Sequence, residues 1–139
     1  MLFACTARPV TSPVFATEAG AIQGFDPVAY FTQADAIKGS PDISYQHQGE
    51  TWYFVSEEHR ELFMTDPEKY TPQFGGYCAY GMSRGYKAQT EPQAWSIVDG
   101  KLYLNYNLEV RDIWNQDRAA YLEKAIQNWP TVKDSEFKP

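Results

Sequence analysis

The chain has 139 residues, the size of one domain with a single hydrophobic core. Its formal net charge is -6, and no run of Lys or Arg interrupts the acidic balance, which argues against nucleic acid as a partner. No stretch approaches the roughly 20 consecutive apolar residues that a membrane-spanning helix requires. Aromatic residues make up 16% of the chain, so we expect aromatic rings to form much of the core and to line a cleft.

Residues 1–21 are predicted to form a disordered tether or the remnant of a lipoprotein signal. From residue 6 to residue 21 the chain is rich in Thr, Ser, Pro and Ala, and it lacks the apolar periodicity that would offset its ordering entropy. Two interpretations of Cys5 stay open. Leu2-Phe3-Ala4-Cys5 resembles the end of a bacterial lipobox, which would make Cys5 a lipid anchor. Alternatively, this stretch is the ordinary start of a polar tail.

A first hairpin and its flanking helices are predicted next. Asp26-Pro27 has the form of an N-cap followed by proline at the first helical position, which predicts a short helical turn. Residues 43–47 and 51–55 are β-prone and flank Gly49, which predicts a hairpin with a positive φ at the glycine. Ser56 is then expected to cap a helix whose first turn carries two glutamates.

A second hairpin and the C-terminal helices follow. Asp99-Gly100 lies between residues 95–98 and 101–106, two β-prone runs, and suits a two-residue type I′ turn. From Leu108 onward apolar residues recur at roughly helical spacing. This spacing predicts two helices, or one bent helix, packed over the sheet and ending at Pro130.

The sequence therefore predicts an α+β fold class. Two β-hairpins, several short helices and the C-terminal helices would pack around a small antiparallel sheet. This domain is expected to span residues 22–130. Residues 131–139 are predicted to form a polar tail.

The stretch Phe74-Gly75-Gly76-Tyr77-Cys78-Ala79-Tyr80-Gly81-Met82 places one thiol among aromatic rings in a glycine-rich segment. A glycine turn that leads into a short helix would bring Cys78 near unpaired backbone N–H groups, which stabilise the reactive thiolate. Cys78 is therefore the candidate catalytic residue, reactive at neutral pH. No second cysteine lies nearby to resolve a sulfenic acid, so turnover would need an external thiol reductant. The alternative is a buried cysteine that acts as a small apolar residue.

Several other side chains are candidates for the surroundings of the thiol. His47, in a predicted strand, is a candidate catalytic base or orienting group, or else a hydrogen-bonded structural residue. His59 is expected to be solvent exposed on the polar side of a helix. Met82 follows Cys78 by one helical turn, and this pair would suit copper(I), which prefers soft ligands, although methionine also fills cores well. The predicted pocket walls are Tyr45, Tyr77, Tyr80 and Tyr86.

Through most of residues 24–130 the chain resembles a YHS-domain protein. The resemblance rests on Asp26-Pro27-Val28, on the first hairpin and on the helix that follows it. Two further stretches, residues 75–81 and 98–106, resemble a longer bacterial subgroup of the family. The hairpin and helix residues are Tyr45, His47, Gly49, Tyr53, Phe54, Ser56, Phe63, Asp66, Pro67 and Tyr70.

The resemblance implies two different activities. Short YHS domains of heavy-metal ATPases imply soft-metal binding through cysteines, but Ala29, Val55 and His59 stand at those positions here. Metal binding in that manner is therefore not expected. In the longer subgroup, the similarity implies that selenocysteine takes the position of Cys78 in some members. A selenol there implies a position kept for nucleophilic or redox reactivity.

Three functions follow from these observations. The first is thiol redox chemistry at Cys78 in a periplasmic or cell-envelope protein, such as reduction of a peroxide or a disulfide with a small-molecule or thiol partner. The second is non-enzymatic binding of a soft metal ion, with copper as the candidate. The third is a structural or ligand-binding module with an aromatic cleft, in which Cys78 is incidental. The sequence leaves open whether the protein is an enzyme.

Overall fold

The computed structural model describes residues 11–137 and has the predicted α+β class, with three two-stranded antiparallel sheets. The strands are β1 (Ala16–Thr17), β2 (Gly20–Ala21), β3 (Ser40–His47), β4 (Glu50–Phe54), β5 (Trp95–Val98) and β6 (Lys101–Leu104). The helices are α1 (Ala29–Thr32), α2 (Glu57–Thr65), α3 (Pro67–Tyr70), α4 (Ala79–Ser83), α5 (Leu108–Gln116) and α6 (Arg118–Val132), with single 3-10 turns at Ile22–Gly24 and Gln73–Gly76.

Both predicted hairpins are confirmed. Strand β3 pairs with β4, and the turn residues Gln48 and Gly49 have φ values of 55° and 78°. Strand β5 pairs with β6, and Asp99 and Gly100 have φ values of 53° and 76°. Positive φ at both central residues is what a type I′ turn requires. The predicted cap of α2 is also present, because Ser56 Oγ accepts a hydrogen bond from a backbone N–H of the first turn at 3.1 Å.

Two aromatic clusters form the core, and strand β6 lies between them. The first cluster contains Trp52, Phe54 and Phe63, whereas the second contains aromatic residues of the glycine-rich stretch and of α5. Side chains alternate along a strand. Leu102 and Leu104 therefore pack in the first cluster and the intervening Tyr103 in the second. The C-terminal segment forms two helices, α5 and α6, which was one of the two predicted alternatives.

The predicted tether is folded from residue 11 onward, which corrects that prediction. Val14 and Phe15 are buried, and β1 pairs with β2. The Tyr77 hydroxyl donates a hydrogen bond to the carbonyl oxygen of Ser12 at 2.8 Å. Val14 packs in the first aromatic cluster and Phe15 in the second, so the burial of this segment depends on distant residues and no local periodicity marks it. The predicted lipobox lies outside the described residues.

The predicted helix end at Pro130 is wrong. Helix α6 continues through Pro130 to Val132, and the N–H of Lys133 donates to the carbonyl oxygen of Trp129 at 2.8 Å. Proline removes one backbone donor from a helix, and burial of Val132 in the second cluster holds the last turn in place. The tail predicted over residues 131–139 is partly packed as well, since the Phe137 ring contacts the core.

Gly75 anchors the N-terminal segment to the glycine-rich stretch, and this position admits no side chain. Its φ is 65°, and a Cβ there would collide with the carbonyl oxygen of Pro13. We expect Gly75→Ala to lower the free energy of unfolding by more than about 1 kcal/mol in urea denaturation. Gly49→Ala is the matched control, because Gly49 has a φ of 78° and nothing within 4 Å of its added Cβ. Equal losses in the two variants would contradict the clash.

Candidate functional site

Cys78 is the N-cap of α4 and only 1% of its surface is exposed. Its N–H donates to the carbonyl oxygen of Ala88 at 3.0 Å, and its own carbonyl oxygen accepts from the N–H of Met82 at 2.9 Å. The glycine-rich turn thus leads into a short helix, as the sequence predicts. The thiol itself is enclosed by the chain rather than presented on the surface.

One backbone N–H group, that of Gly81, donates a hydrogen bond to the Cys78 sulfur at 3.4 Å. Backbone groups of Tyr106 and Tyr80 also act on the thiol and favour its anion. These donors act to lower the thiol pKa, but burial is the larger effect and raises the pKa above the ordinary value of 9.0. The raised pKa therefore opposes the predicted reactivity at neutral pH and keeps the sulfur protonated there in the folded state.

Asn105, which directly follows β6, is the side chain that accepts a hydrogen bond from this thiol. It is fully buried, and its Oδ1 accepts from the N–H of Tyr80 at 3.0 Å and from the S–H of Cys78 at 3.4 Å. Because a backbone N–H can only donate, Oδ1 must face Tyr80, which fixes the orientation of the carboxamide. The Nδ2 of Asn105 has no hydrogen-bond partner within residues 11–137.

Sequence reasoning missed Asn105, although a signal was present. Residues 102–106 read Leu-Tyr-Leu-Asn-Tyr, so an amide interrupts an otherwise apolar and aromatic run. A buried amide must find hydrogen-bond partners. Its partners lie 25 and 27 residues earlier in the chain, at a distance that a local pattern does not reveal.

His47 packs in the first aromatic cluster, away from the contacts of the thiol. Its ring lies 5.5 Å from the ring of Phe63, 6.5 Å from that of Trp52 and 6.5 Å from that of Tyr45. Partial burial lowers the pKa of His47, and the charge of Glu68 opposes this shift. The hydrogen bonds given above for Cys78 involve none of these residues. The structure therefore places His47 as a packed ring of the first cluster.

The four predicted pocket tyrosines do not line one pocket. Tyr45 is half-buried against Phe63 in the first cluster, and Tyr86 is exposed. Tyr77 is buried, whereas the half-buried ring of Tyr80 packs on α6. Tyr77 and Tyr80 lie close to Cys78 along the chain, and the backbone N–H of Tyr80 donates to Asn105, the amide that contacts the sulfur.

Met82 lies on α4 next to Cys78 and is fully buried. Cys78 and Met82 would supply two soft ligands to copper(I). Among the residues that the structure describes, no group of three His, Cys, Asp or Glu side chains is placed to hold a metal ion. Copper at this pair stays a prediction.

A second polar cluster is centred on Asp26, which the sequence predicts as the N-cap of a short helical turn but not as a partner of Val55 and His59. The Asp26 carboxylate is fully buried; Oδ1 accepts from the N–H groups of Val28 and Ala29, at 2.8 and 3.1 Å. Its Oδ2 accepts from the N–H of Val55 at 2.8 Å and lies 2.7 Å from Nδ1 of His59. These contacts join α1, the end of β4 and α2 through one carboxylate.

The expectation that His59 is exposed is wrong, because its ring is drawn inward by this carboxylate. An ionised Asp26 accepts only, so Nδ1 of His59 carries the proton that it donates. Nε2 lies 3.1 Å from Thr32 Oγ1. The Asp26 carboxylate thus contacts all three residues that stand where the resemblance implies cysteines in short YHS domains. These residues are Ala29, Val55 and His59.

The chain matches no family model, no curated protein and no solved structure. The resemblance to YHS-domain proteins therefore stays a prediction. Fold and site together define an α+β domain with a buried thiol, Cys78, held between backbone donors and a buried amide. No helix in residues 11–137 has the length and apolar character needed to cross a membrane.

Proposed function

We propose that this chain is a YHS-type protein in which Cys78 does thiol redox chemistry, being oxidised by a peroxide or a disulfide and reduced again by an external thiol. The observation that carries the proposal is the position of the Cys78 sulfur at the start of α4, where the backbone N–H of Gly81 donates to it and backbone groups of Tyr106 and Tyr80 also favour its anion. A sulfur that serves only as core filling needs no such donors, whereas a thiolate is stabilised by each of them.

Burial sets the conditions of this chemistry. Since the raised pKa keeps Cys78 protonated at neutral pH, the folded protein protects its thiol from general electrophiles. Reaction requires a partner that reaches the buried sulfur beside the N–H of Gly81 as the thiol loses its proton. The raised pKa of Cys78 also makes folding stability depend on pH. Because the folded-state pKa lies above 9.0, the protonated thiol stabilises the folded state below pH 9.0. This contribution is lost as the pH rises through the folded-state pKa.

The reductant comes from outside the described domain. Cys78 is the free cysteine of the part of the chain that the structure describes, and Cys5 lies outside it. A periplasmic or cell-envelope location with Cys5 as a lipid anchor stays a prediction from the sequence, and it is compatible with a small-molecule thiol as reductant.

The test compares the full chain with Cys78→Ser and with the matched control Cys5→Ser. Each protein is given dithiothreitol with hydrogen peroxide or with a small-molecule disulfide, and consumption of the oxidant is measured. We expect turnover in the wild type and in Cys5→Ser, and only the uncatalysed rate in Cys78→Ser. Equal turnover in the wild type and Cys78→Ser would contradict the proposal and favour a structural or ligand-binding role.

Copper(I) binding is the alternative that the position of Met82, buried and one helical turn after Cys78, favours. Two soft ligands on one helical turn suit this ion. The same variants separate the two functions under anaerobic conditions. Stoichiometric copper(I) binding that is lost in Cys78→Ser, together with no redox turnover in the wild type, would favour metal handling.

A further inference from the structure

We propose that Asn105 binds the oxygen atom of a small hydroperoxide at Cys78 through its Nδ2 group, so that hydroperoxides rather than disulfides are the oxidants of this site. This inference rests on the proposed redox function and names its substrate class. Asn105 is fully buried, and its carboxamide touches the sulfur through Oδ1 at 3.4 Å. The role of Asn105 is that of a substrate-binding group next to the reacting thiol.

The unpartnered Nδ2 is the first argument. A buried N–H group without a partner costs about 1 to 3 kcal/mol, and most such groups in folded proteins are satisfied. The Asn105 Nδ2 has no partner within the described residues. Flipping the carboxamide does not relieve this, because Nδ2 would then face the N–H of Tyr80, a second donor. An acceptor that arrives with the substrate does relieve it.

The enclosure of the sulfur is the second argument. Only 1% of Cys78 is exposed, and Sγ lies between the N–H of Gly81 and Oδ1 of Asn105, each at 3.4 Å. Exchange with a disulfide requires a substrate sulfur with its attached chain to reach the attacking sulfur. Attack on a hydroperoxide requires only that one oxygen atom reaches the sulfur. This oxygen can also accept hydrogen bonds from the donors beside the sulfur, the N–H of Gly81 and Nδ2 of Asn105.

The reaction balances with a hydroperoxide and two external thiols. The Cys78 sulfur loses its proton and attacks the terminal oxygen of the hydroperoxide; the S–O bond forms as the O–O bond breaks. The leaving oxygen takes up the proton and departs as an alcohol or water. Cys78 is oxidised to a sulfenic acid, whose oxygen remains beside Nδ2 of Asn105. One external thiol then displaces water to give a mixed disulfide, and a second releases Cys78 as the thiol.

Asn105→Asp isolates the Nδ2 group. Aspartate keeps an oxygen for the N–H of Tyr80 and replaces the donor with an acceptor, at almost the same volume. A carboxylate beside the sulfur also raises the pKa of the thiol. The rate constant of sulfenic acid formation with hydrogen peroxide is therefore divided by the thiolate fraction of Cys78, measured by ultraviolet absorbance at the same pH, since the reaction depends on the thiolate.

We expect this ratio to fall about 10- to 100-fold in Asn105→Asp, the effect of losing one hydrogen bond to a developing charge. Asn105→Ala should show a fall of the same order. Asn128→Ala is the matched control, because the Nδ2 of Asn128 donates to carbonyl oxygens of Met82 and Ser83 on α4. It loosens the same helix without touching the sulfur, and its ratio should stay at the wild-type value.

The outcomes separate this inference from the function on which it rests. If the wild type forms a sulfenic acid but the ratio is unchanged in Asn105→Asp, the role of Asn105 is overturned and redox chemistry at Cys78 stands. If the wild type reacts with a small disulfide and not with hydrogen peroxide, the substrate class is overturned. If neither oxidant reacts with Cys78, the proposed function fails as well.

Discussion

Replacing Asp26 with alanine is expected to lower the free energy of unfolding by about 3 to 5 kcal/mol, as removal of one partner from a buried ion pair or charged network does. The carboxylate accepts four hydrogen bonds and is fully buried. Alanine would leave three backbone N–H groups and the imidazole of His59 without their acceptor. Urea denaturation at pH 7, followed by tryptophan fluorescence, measures the loss.

Asp42→Ala is the matched control for Asp26, because Asp42 is an exposed aspartate on strand β3. Its replacement should change the free energy of unfolding by no more than about 0.5 kcal/mol. Asp26→Asn should also be strongly destabilised, since the amide group would meet donors on whichever side it faces. A loss below about 1 kcal/mol in Asp26→Ala would contradict the network.

Replacing Phe63 with alanine is expected to cost about 3 to 5 kcal/mol, because it leaves a cavity in the first aromatic cluster. The ring is fully buried and lies 5.2 Å from the ring of Phe54 and 5.3 Å from that of Trp52. Thermal and urea unfolding measure the change. Met64→Ala, at the next and exposed position of the same helix, should cost less than about 1 kcal/mol.

The same Phe63→Ala variant has a second readout at His47. The Phe63 ring lies 5.5 Å from the ring of His47, and partial burial lowers the pKa of this histidine. Opening the cluster to water reduces that desolvation, so the pKa of His47 should rise toward 6.5 in an NMR titration. An unchanged titration together with a small stability loss would contradict the packing described for this cluster.

Local chemistry made the hairpins and the cap of α2 predictable from the sequence. Asp99-Gly100 provides two residues that tolerate positive φ, and β-prone runs flank it. Ser56 carries a side-chain oxygen just before a helix-forming run. Each of these signals lies within about ten residues of the feature that it predicts, so the order of elements and the fold class followed.

Contacts between distant parts of the chain could not be predicted in this way. His59 looks exposed by its helical position, but its partner Asp26 is 33 residues away. Val14 and Phe15 belong to a segment without periodicity, and their burial depends on the glycine-rich stretch far along the chain. At the site, the residue types around Cys78 indicated that its thiol is the reactive group. The burial of Cys78 and its contact with Asn105 could not be predicted, because both depend on how the second hairpin packs.

The oxidation state of Cys78 after exposure to one equivalent of hydrogen peroxide tests the central claim most directly. The measurement uses the folded Cys5→Ser chain, with a sulfenic acid trap and mass spectrometry of the peptide that contains Cys78. We predict that one oxygen atom is added at Cys78 and trapped, and that an external thiol, added after the peroxide and before the trap, restores the reduced residue. A Cys78 that stays reduced in the folded protein, while the urea-unfolded chain is oxidised under the same conditions, would contradict it.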